Sequence, residues 1–455
     1  MRDTIGRNLR RLLVSALASA GLHAAPASAI DLLRSYELAL VNDGQLKVAK
    51  ARADGGREAE PQALSQLLPN VSFSLAYGRT EQDRTLNNLT EPTARYPSQN
   101  NTLSLRQPLY RQLQFSQYEQ AKSKVASTDA QYDRDFQSLG VRLVTTYFQA
   151  LFARDGLDLI AAQKASYDAQ LRAAKLAFAA GSGTRTDIDD IQTKYDILLA
   201  QEIEALQALG SVTLQLQIFV GEPVEQLSTL DATRFRADAH DPSSLQEWID
   251  RALEYNPDLR VLKANWDAAV SGMAMARAGH LPTLDLVLQR NYSKGDSNNV
   301  FPGTENTTNY IGVQLAVPIF SGGAVNSSIR AATAASEEAR AAFEYARDDL
   351  RLKVRNQHDA VKAGISRVQA LDRALVSADQ NVLSNQKGVQ AGTRTTLDVL
   401  NVEQLRFNTQ VDLARARYQI LVAWATLQSY VGDLNADQVR RINRVLMGGA
   451  QRTPA

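Results

Sequence analysis

The 455-residue chain has no cysteine. Disulfides, thiolate metal ligands and a lipid-modified cysteine behind a leader sequence are thereby excluded, so stability has to come from packing or assembly. Histidine is scarce as well. Of the four, His23 lies near the N-terminus, and His240, His280 and His358 stand at no spacing suited to a metal site or a catalytic triad. No glycine-rich phosphate loop follows a strand pattern and no G-x-S-x-G occurs, which argues against an enzyme and gives no reason to expect a cofactor. Fifty basic and 49 acidic residues nearly cancel, leaving no global field for nucleic acid. Beyond the N-terminal region no run approaches the roughly 18 apolar residues of a transmembrane helix, so any membrane crossing would use β-strands. Proline is absent from 109–222 and from 319–453, although the chain holds thirteen.

At the N-terminus, Arg2, Arg7, Arg10 and Arg11 precede the apolar run "LLVSALASAGL", and "PASA" sets Ala27 and Ala29 at the small positions of a cleavage site. This order reads as a signal peptide over 1–29, cut after Ala29, and implies an exported chain. An amphipathic first helix is the rival reading.

The rest of the chain repeats itself. "LVNDGQLKVAKARAD" at 40 resembles "LEYNPDLRVLKANWD" at 253, "LPNVSFSL" at 68 resembles "LPTLDLVL" at 281, "RQPLY" at 106 resembles "AVPIF" at 316, and "IFVGE" at 218 resembles "SYVGD" at 429. "GTRT" occurs at 183 and again at 392, with an acidic residue soon after each. Landmarks in the same order imply a tandem duplication of about 210 residues. The halves would be 30–222 and 246–432, with a linking segment at 223–245 and a C-terminal segment at 433–455.

Each half reads as two strands followed by a long helical hairpin. Val71, Phe73, Leu75 and Tyr77 alternate with Ser72, Ser74 and Ala76, and Leu284, Leu286 and Leu288 alternate with Asp285, Val287 and Gln289. Leu103, Leu105 and Leu109 mark one further face, and Ile311, Val313, Leu315, Val317 and Ile319 another. Strands are expected at about 69–79, 101–109, 282–292 and 309–319, joined in pairs by long polar loops. Pro108 and Pro318 would mark the strand-to-helix junctions. The proline-free regions predict helical hairpins over about 111–218 and 324–430. Ala332, Ala335, Ala339, Ala342 and Ala346 keep coiled-coil spacing in the second. The tips fall near 181–187 and 390–397. There Gly183 and Gly392 suit left-handed helix ends, and Thr184 to Asp187 and Thr395 to Asp398 have capping-box form. Gly181 and Thr393 complete the two turns.

Duplicated halves, paired strands, the "QPLYR" and "VPIFSGG" junctions and "GTRT" followed by "LDVL" resemble the TolC-like outer-membrane factors of Gram-negative bacteria. The resemblance spans essentially the whole chain after the leader. It implies an α+β membrane protein in which three copies pool four strands each into a twelve-stranded outer-membrane barrel, surrounded by outer-membrane lipid. A long α-helical barrel would continue into the periplasm. The implied function is an exit duct docked to a periplasmic adaptor and an inner-membrane ABC or proton-driven pump, passing secreted polypeptides or small toxic compounds. A periplasmic coiled-coil adaptor or scaffold without a pore is the alternative.

In relatives the second hairpin gates the duct with an arginine and two aspartates. The matching positions are Arg394, Asp398 and Asn401, the last an amide. Arg185 and Asp187 would be secondary tip contacts. A trimer would bring three Asp398 carboxylates together, where mutual repulsion raises their pKa or recruits a hard cation.

Overall fold

The computed structural model describes residues 29–446, apart from 84, 88, 91, 92, 241, 243 and 296–303. The expected signal peptide therefore lies outside the described residues, except for Ala29. In chain order the elements are α1 (Leu32–Asn42), α2 (Gly44–Arg57), α3 (Ala59–Ser65), β1 (Asn70–Gln82), β2 (Ala94–Arg111), α4 (Gln112–Ala179), α5 (Arg185–Val220), α6 (Leu245–Tyr255), α7 (Pro257–Arg277), β3 (Thr283–Gly295), β4 (Thr304–Ala316), α8 (Ala324–Gln390), α9 (Thr396–Tyr430) and α10 (Ala436–Asn443). A two-residue ladder, Thr85–Leu86 with Leu89–Thr90, sits in the β1–β2 loop.

The four long strands form one antiparallel sheet in sequence order, with β1 and β4 at its edges. Register puts Val71, Leu105, Leu288 and Ile311 side by side, and Phe73 beside Leu103. One face therefore collects Val71, Phe73, Leu75, Tyr77, Leu103, Leu105, Leu284, Leu286, Leu288, Ile311, Val313 and Leu315. The opposite face is built from Ser72, Ser74, Ser104, Thr102, Gln289, Asn291, Thr308 and Gln314. The upper limit of the apolar face steps down across the sheet, from Tyr77 on β1 to Ile311 on β4, as tilted strands require.

Three details of the strands depart from expectation. β1 and β2 extend further into the loop, where the Thr80 hydroxyl donates to Ser98 Oγ at 3.0 Å and Arg95 pairs with Glu81 at 2.7 Å. β4 stops at Ala316, because Pro318 has no N–H with which to continue a ladder. Val317 and Ile319 thus lie beyond the sheet. Pro108 does not mark the end of β2. It sits within the strand where the register shifts between Pro108 and Tyr110, and the extra residue is Leu109. Tyr110, opposite Leu284, continues the apolar face instead.

Asp285 ties this bulge to the start of α4. It is 2% exposed on the polar face, accepting from Arg111 Nε at 2.6 Å and Arg106 Nε at 3.0 Å. Each guanidinium makes a second contact through Nη2. Two arginines on one carboxylate fix the angle at which strand turns into helix.

At 1.5 Å per residue, the 68 residues of α4 and 67 of α8 each span about 100 Å. Beside the sheet, α4 and α8 pack with α7, and α2 and α3 lie along α4. Beyond the midpoint α5 and α9 replace them as return helices. Along α8 the inward seam runs Ala332, Ser336, Ala339, Phe343, Ala346, Leu350, with Ser336 and Leu350 buried and the others half-buried. Ala335 and Ala342 fall outside it and are exposed on the single chain.

The main core sits at the midpoint, where α1, α6 and α10 pack around α4, α5 and α9. It contains Tyr36, Leu143, Tyr147, Phe148, Leu216, Leu421, Trp424, Leu427 and Ile442. The two "VG" landmarks end the return helices there. Gly221 (φ 76°) and Gly432 (φ 74°) are both left-handed, and a Cβ on Gly221 would meet the Asn42 amide at 2.7 Å. Buried side chains hold the segments that cross the core. Tyr147 donates to the carbonyls of Ile30 and Ser228, both at 3.0 Å, and Asn443 Oδ1 accepts from Leu32 N at 3.1 Å. Gln137 Nε2 donates to Gly432 O at 3.1 Å while its Oε1 accepts from Leu434 N at 2.9 Å.

Two outcomes follow. Gln137→Leu strands the buried N–H of Leu434 and the half-buried C=O of Gly432, and should cost about 2–4 kcal/mol, read as a lower unfolding midpoint in detergent. Leu286→Arg, on the apolar face, should cost about 2–4 kcal/mol if that face meets hydrocarbon, whereas Gln289→Arg on the polar face should be mild. Equal yields of both variants in a bilayer-insertion assay would contradict this assignment of faces.

Candidate functional site: the paired hairpin tips

The first tip begins where α4 ends. Gly181 takes the left-handed conformation (φ 75°), and the N–H groups of Ser182 and Gly183 donate to Ala177 O at 2.9 and 3.1 Å. Gly183 is not left-handed, contrary to expectation. Its constraint is proximity, since a Cβ there would approach Phe178 N to 2.9 Å. In the second tip Gly392 is left-handed (φ 71°), and Thr393 N and Arg394 N donate to Gly388 O at 2.9 and 3.2 Å.

Both return helices open with a reciprocal cap. Thr184 Oγ1 accepts from Asp187 N at 3.1 Å while Asp187 Oδ2 accepts from Thr184 N at 3.2 Å. The corresponding distances for Thr395 and Asp398 are 3.2 and 2.9 Å. Left-handed glycine, capping threonine and capping aspartate all recur at an offset of 211 residues. The two "GTRT" strings are 209 apart and so are out of structural register. What repeats is Gly-x-x-Thr-x-x-Asp.

The two arginines consequently differ. Arg185 is the first residue of α5 and pairs with Asp189 at 3.1 Å on an exposed surface. Arg394 precedes its cap, at the position of Gly183 in the first tip. Its side chain lies across Gly388, where a Cβ would come within 2.6 Å of Arg394 Cγ.

Asp398 is held below the usual carboxylate range, first by the Thr395 backbone N–H and then by the Thr395 hydroxyl, with Arg394 assisting. This depression arises within one chain and is separate from the repulsion expected among three copies. A depressed carboxylate pKa means that the cap is present above the unfolded-state value and lost as pH falls through the lower folded value. Among the described residues no group of three or more His, Asp or Glu could hold a metal, so an Asp398 cation ring would need several chains.

Asn401 faces the other hairpin. Its Oδ1 accepts from Lys194 Nζ on α5 at 3.0 Å. Behind it Tyr167, Leu171, Ile191, Leu198 and Leu400 form a small apolar cluster joining the two hairpins. One turn further, Glu403 is 6% exposed, and its Oε2 accepts from Gln170 Nε2 at 2.7 Å and Ser166 Oγ at 3.0 Å. Gln404 Oε1 accepts from Gln163 Nε2 at 2.7 Å and Tyr167 OH at 3.2 Å. No sequence pattern singled out this network. Its one legible trace is the polar stripe Gln163, Ser166, Tyr167, Gln170 at helical spacing. The tips therefore combine two rigid capped turns with a polar, desolvated contact between hairpins.

The outer membrane efflux protein family matches residues 35–222 and 248–433, one stretch in each half. Over 439 residues the chain is 33% identical to the alkaline protease secretion protein AprF of Pseudomonas aeruginosa, covering 94% of this chain and 89% of the relative. It is 31% identical over 443 residues to the proteases secretion protein PrtF of Dickeya chrysanthemi, covering 95% of each. The outer membrane protein TolC of Escherichia coli is 27% identical, with 91% and 85% covered. In fold the chain is similar to the outer membrane protein VceC of Vibrio cholerae, with TM-score 0.76 at 17% identity over 89% of this chain and 97% of that one. With both halves matched and AprF shared along nearly its whole length, the chain belongs to the outer membrane efflux protein family and is an outer-membrane protein that extends into the periplasm.

Proposed function

We propose that the chain is the outer-membrane exit duct of a tripartite secretion system whose cargo is a polypeptide. Three copies close a twelve-stranded barrel, and their hairpins continue it as a tunnel toward a periplasmic adaptor and an inner-membrane ABC pump. The observation that carries this reading is the sheet, apolar on one face and polar on the other, with β1 and β4 left as free edges. Unpaired backbone groups cost several kcal/mol each in hydrocarbon, so the edges must be joined between copies. A pore-free periplasmic adaptor would explain the helical hairpins but not this sheet. The polypeptide cargo follows from two relatives named for protease secretion, each similar along nearly its whole length. A proton-driven pump expelling small toxic compounds is the other transport class.

The tips are the periplasmic gate in this proposal. Arg394, Asp398 and Asn401 come from the second hairpin, with Arg185 and Asp187 as the lesser contacts of the first. Glu403 and its partners, new from the geometry, hold the hairpins together behind the opening.

Light scattering in detergent should give a trimer, and a conducting monomer would exclude the proposal. Deleting the gene in its host should leave an exported protease inside the cell instead of in the medium; loss of drug efflux with secretion intact would favour the small-molecule class. In planar bilayers Arg394→Ala and Glu403→Ala should each raise resting conductance. Asp398→Ala should weaken divalent-cation block by about tenfold, equivalent to about 1.4 kcal/mol, and Asn401→Asp should strengthen it. Unchanged conductance and block across these variants, with the trimer intact, would reduce the tip to a pair of turns.

A further inference from the structure

Beyond the apolar band, the outward face of the sheet carries one unmatched arginine on each of two strands, six residues apart in register along β2. Arg79 on β1 is two residues past Tyr77, and Arg290 on β3 is two residues past Leu288, so each is the first outward-facing residue above the band on its own strand. Both are exposed. Among the described residues neither is paired with an acid. The charges further out are matched, Arg95 with Glu81 at 2.7 Å and Lys294 with Glu305 at 2.5 Å. Between the two arginines stand neutral donors and acceptors, Asn101 and Gln99 on β2, with Asn309 beside Arg290 on β4.

The position of this rim is defined by the fold. The helices leave the sheet at the opposite end, so Arg79 and Arg290 lie on the loop side, at the boundary of hydrocarbon and headgroups in the outer leaflet. An unmatched guanidinium beside a fluid hydrocarbon surface is poorly solvated unless an anion meets it. Planar, bidentate donors suit phosphate oxygens better than any other anion available at that depth. We propose that Arg79 and Arg290 each bind a phosphomonoester group of the outer leaflet's glycolipid, giving each protomer two separate arginine clamps at the rim of its apolar face. The inference rests on the sheet being the membrane-spanning part of an assembled trimer, and the test scores assembly separately.

The full-length trimer would be reconstituted in phosphatidylcholine vesicles containing increasing lipid A, and its dissociation temperature followed by gel mobility. Lipid A should raise that temperature in the wild type. Arg79→Gln combined with Arg290→Gln should need about tenfold more lipid A for half the effect, the loss of about one charge-assisted contact. Arg95→Gln, whose charge is already matched by Glu81, should respond as the wild type. An identical lipid A response in the double variant overturns the proposal, and so does equal stabilisation of the wild type by phosphatidylglycerol, which offers charge without a phosphomonoester. Stabilisation by inorganic phosphate alone at equal concentration would reassign the site to a free anion. If the double variant does not assemble, Arg290→Gln alone and Arg290→Lys are compared: a weakened response to lipid A in the first, partly restored in the second, supports the clamp, and no difference from the wild type rejects it.

Discussion

The structure depends on a backbone constraint, that every N–H and C=O inside hydrocarbon needs a partner. One chain satisfies it only between β1 and β4, through three ladders. The outer edges of β1 and β4 are left over, and a sheet of four strands cannot curl far enough to join them. Assembly is therefore a condition of insertion. The same logic extends down the helices by a different force. Ile218, Tyr345 and Val376 are each at least 70% exposed on the single chain. The helix α5 is apolar enough over 18 residues to pass for a membrane span, yet little of it is buried within the chain. These residues have no reason to be apolar in a monomer, and they are where neighbouring copies have surface to bury.

Much of this was legible in the sequence because the signals are strong and local. Proline costs about 3 kcal/mol inside a helix, so two proline-free stretches of over a hundred residues mark the hairpins plainly. Alternation with period two is likewise a direct print of a sheet with unlike faces, and the faces found match it except where the bulge puts Tyr110 in place of Leu109 and where Val317 and Ile319 run past the end of β4. What escaped was non-local. The bulge at Pro108 depends on how β2 meets β3, and the polar network around Glu403 on how one hairpin meets the other. The alanine pattern on α8 was read as one seam, but Ala335 and Ala342 point away from it. Small residues mark close packing without saying against which partner.

The "GTRT" repeat is an instructive miss. Identity of four residues suggested equivalent tips, yet the hydrogen bonds align them two residues apart. Left-handed glycine, capping threonine and capping aspartate are each required by a backbone conformation, whereas the arginine is not. The conformational requirements were duplicated and the arginine was placed separately, ahead of the cap in one tip and behind it in the other. An arginine at Arg394 projects from the turn itself; at Arg185 it is drawn into an ion pair along its own helix.

The two ends of the hairpins are held in different ways. At the midpoint, buried aromatic and aliphatic side chains form one large cluster, and Gln137 and Tyr147 tie crossing segments to it by hydrogen bonds. Near the tips the apolar contact shrinks to five buried residues, and the remaining links are polar: Lys194 to Asn401, Gln163 and Tyr167 to Gln404, and Gln170 and Ser166 to the buried carboxylate of Glu403. Among the described residues Glu403 has neutral donors and no salt-bridge partner, and neutral donors replace a carboxylate's hydration less fully than a cation does, so this contact is weak for the area it covers. In the gate proposed above, opening begins where separation returns Glu403 to water, while the core at the midpoint stays shut. The caps at Thr184 and Thr395 belong to neither contact. Because each is closed within its own hairpin, the hairpins can part as rigid units, and the cost of opening lies between them rather than in unwinding them.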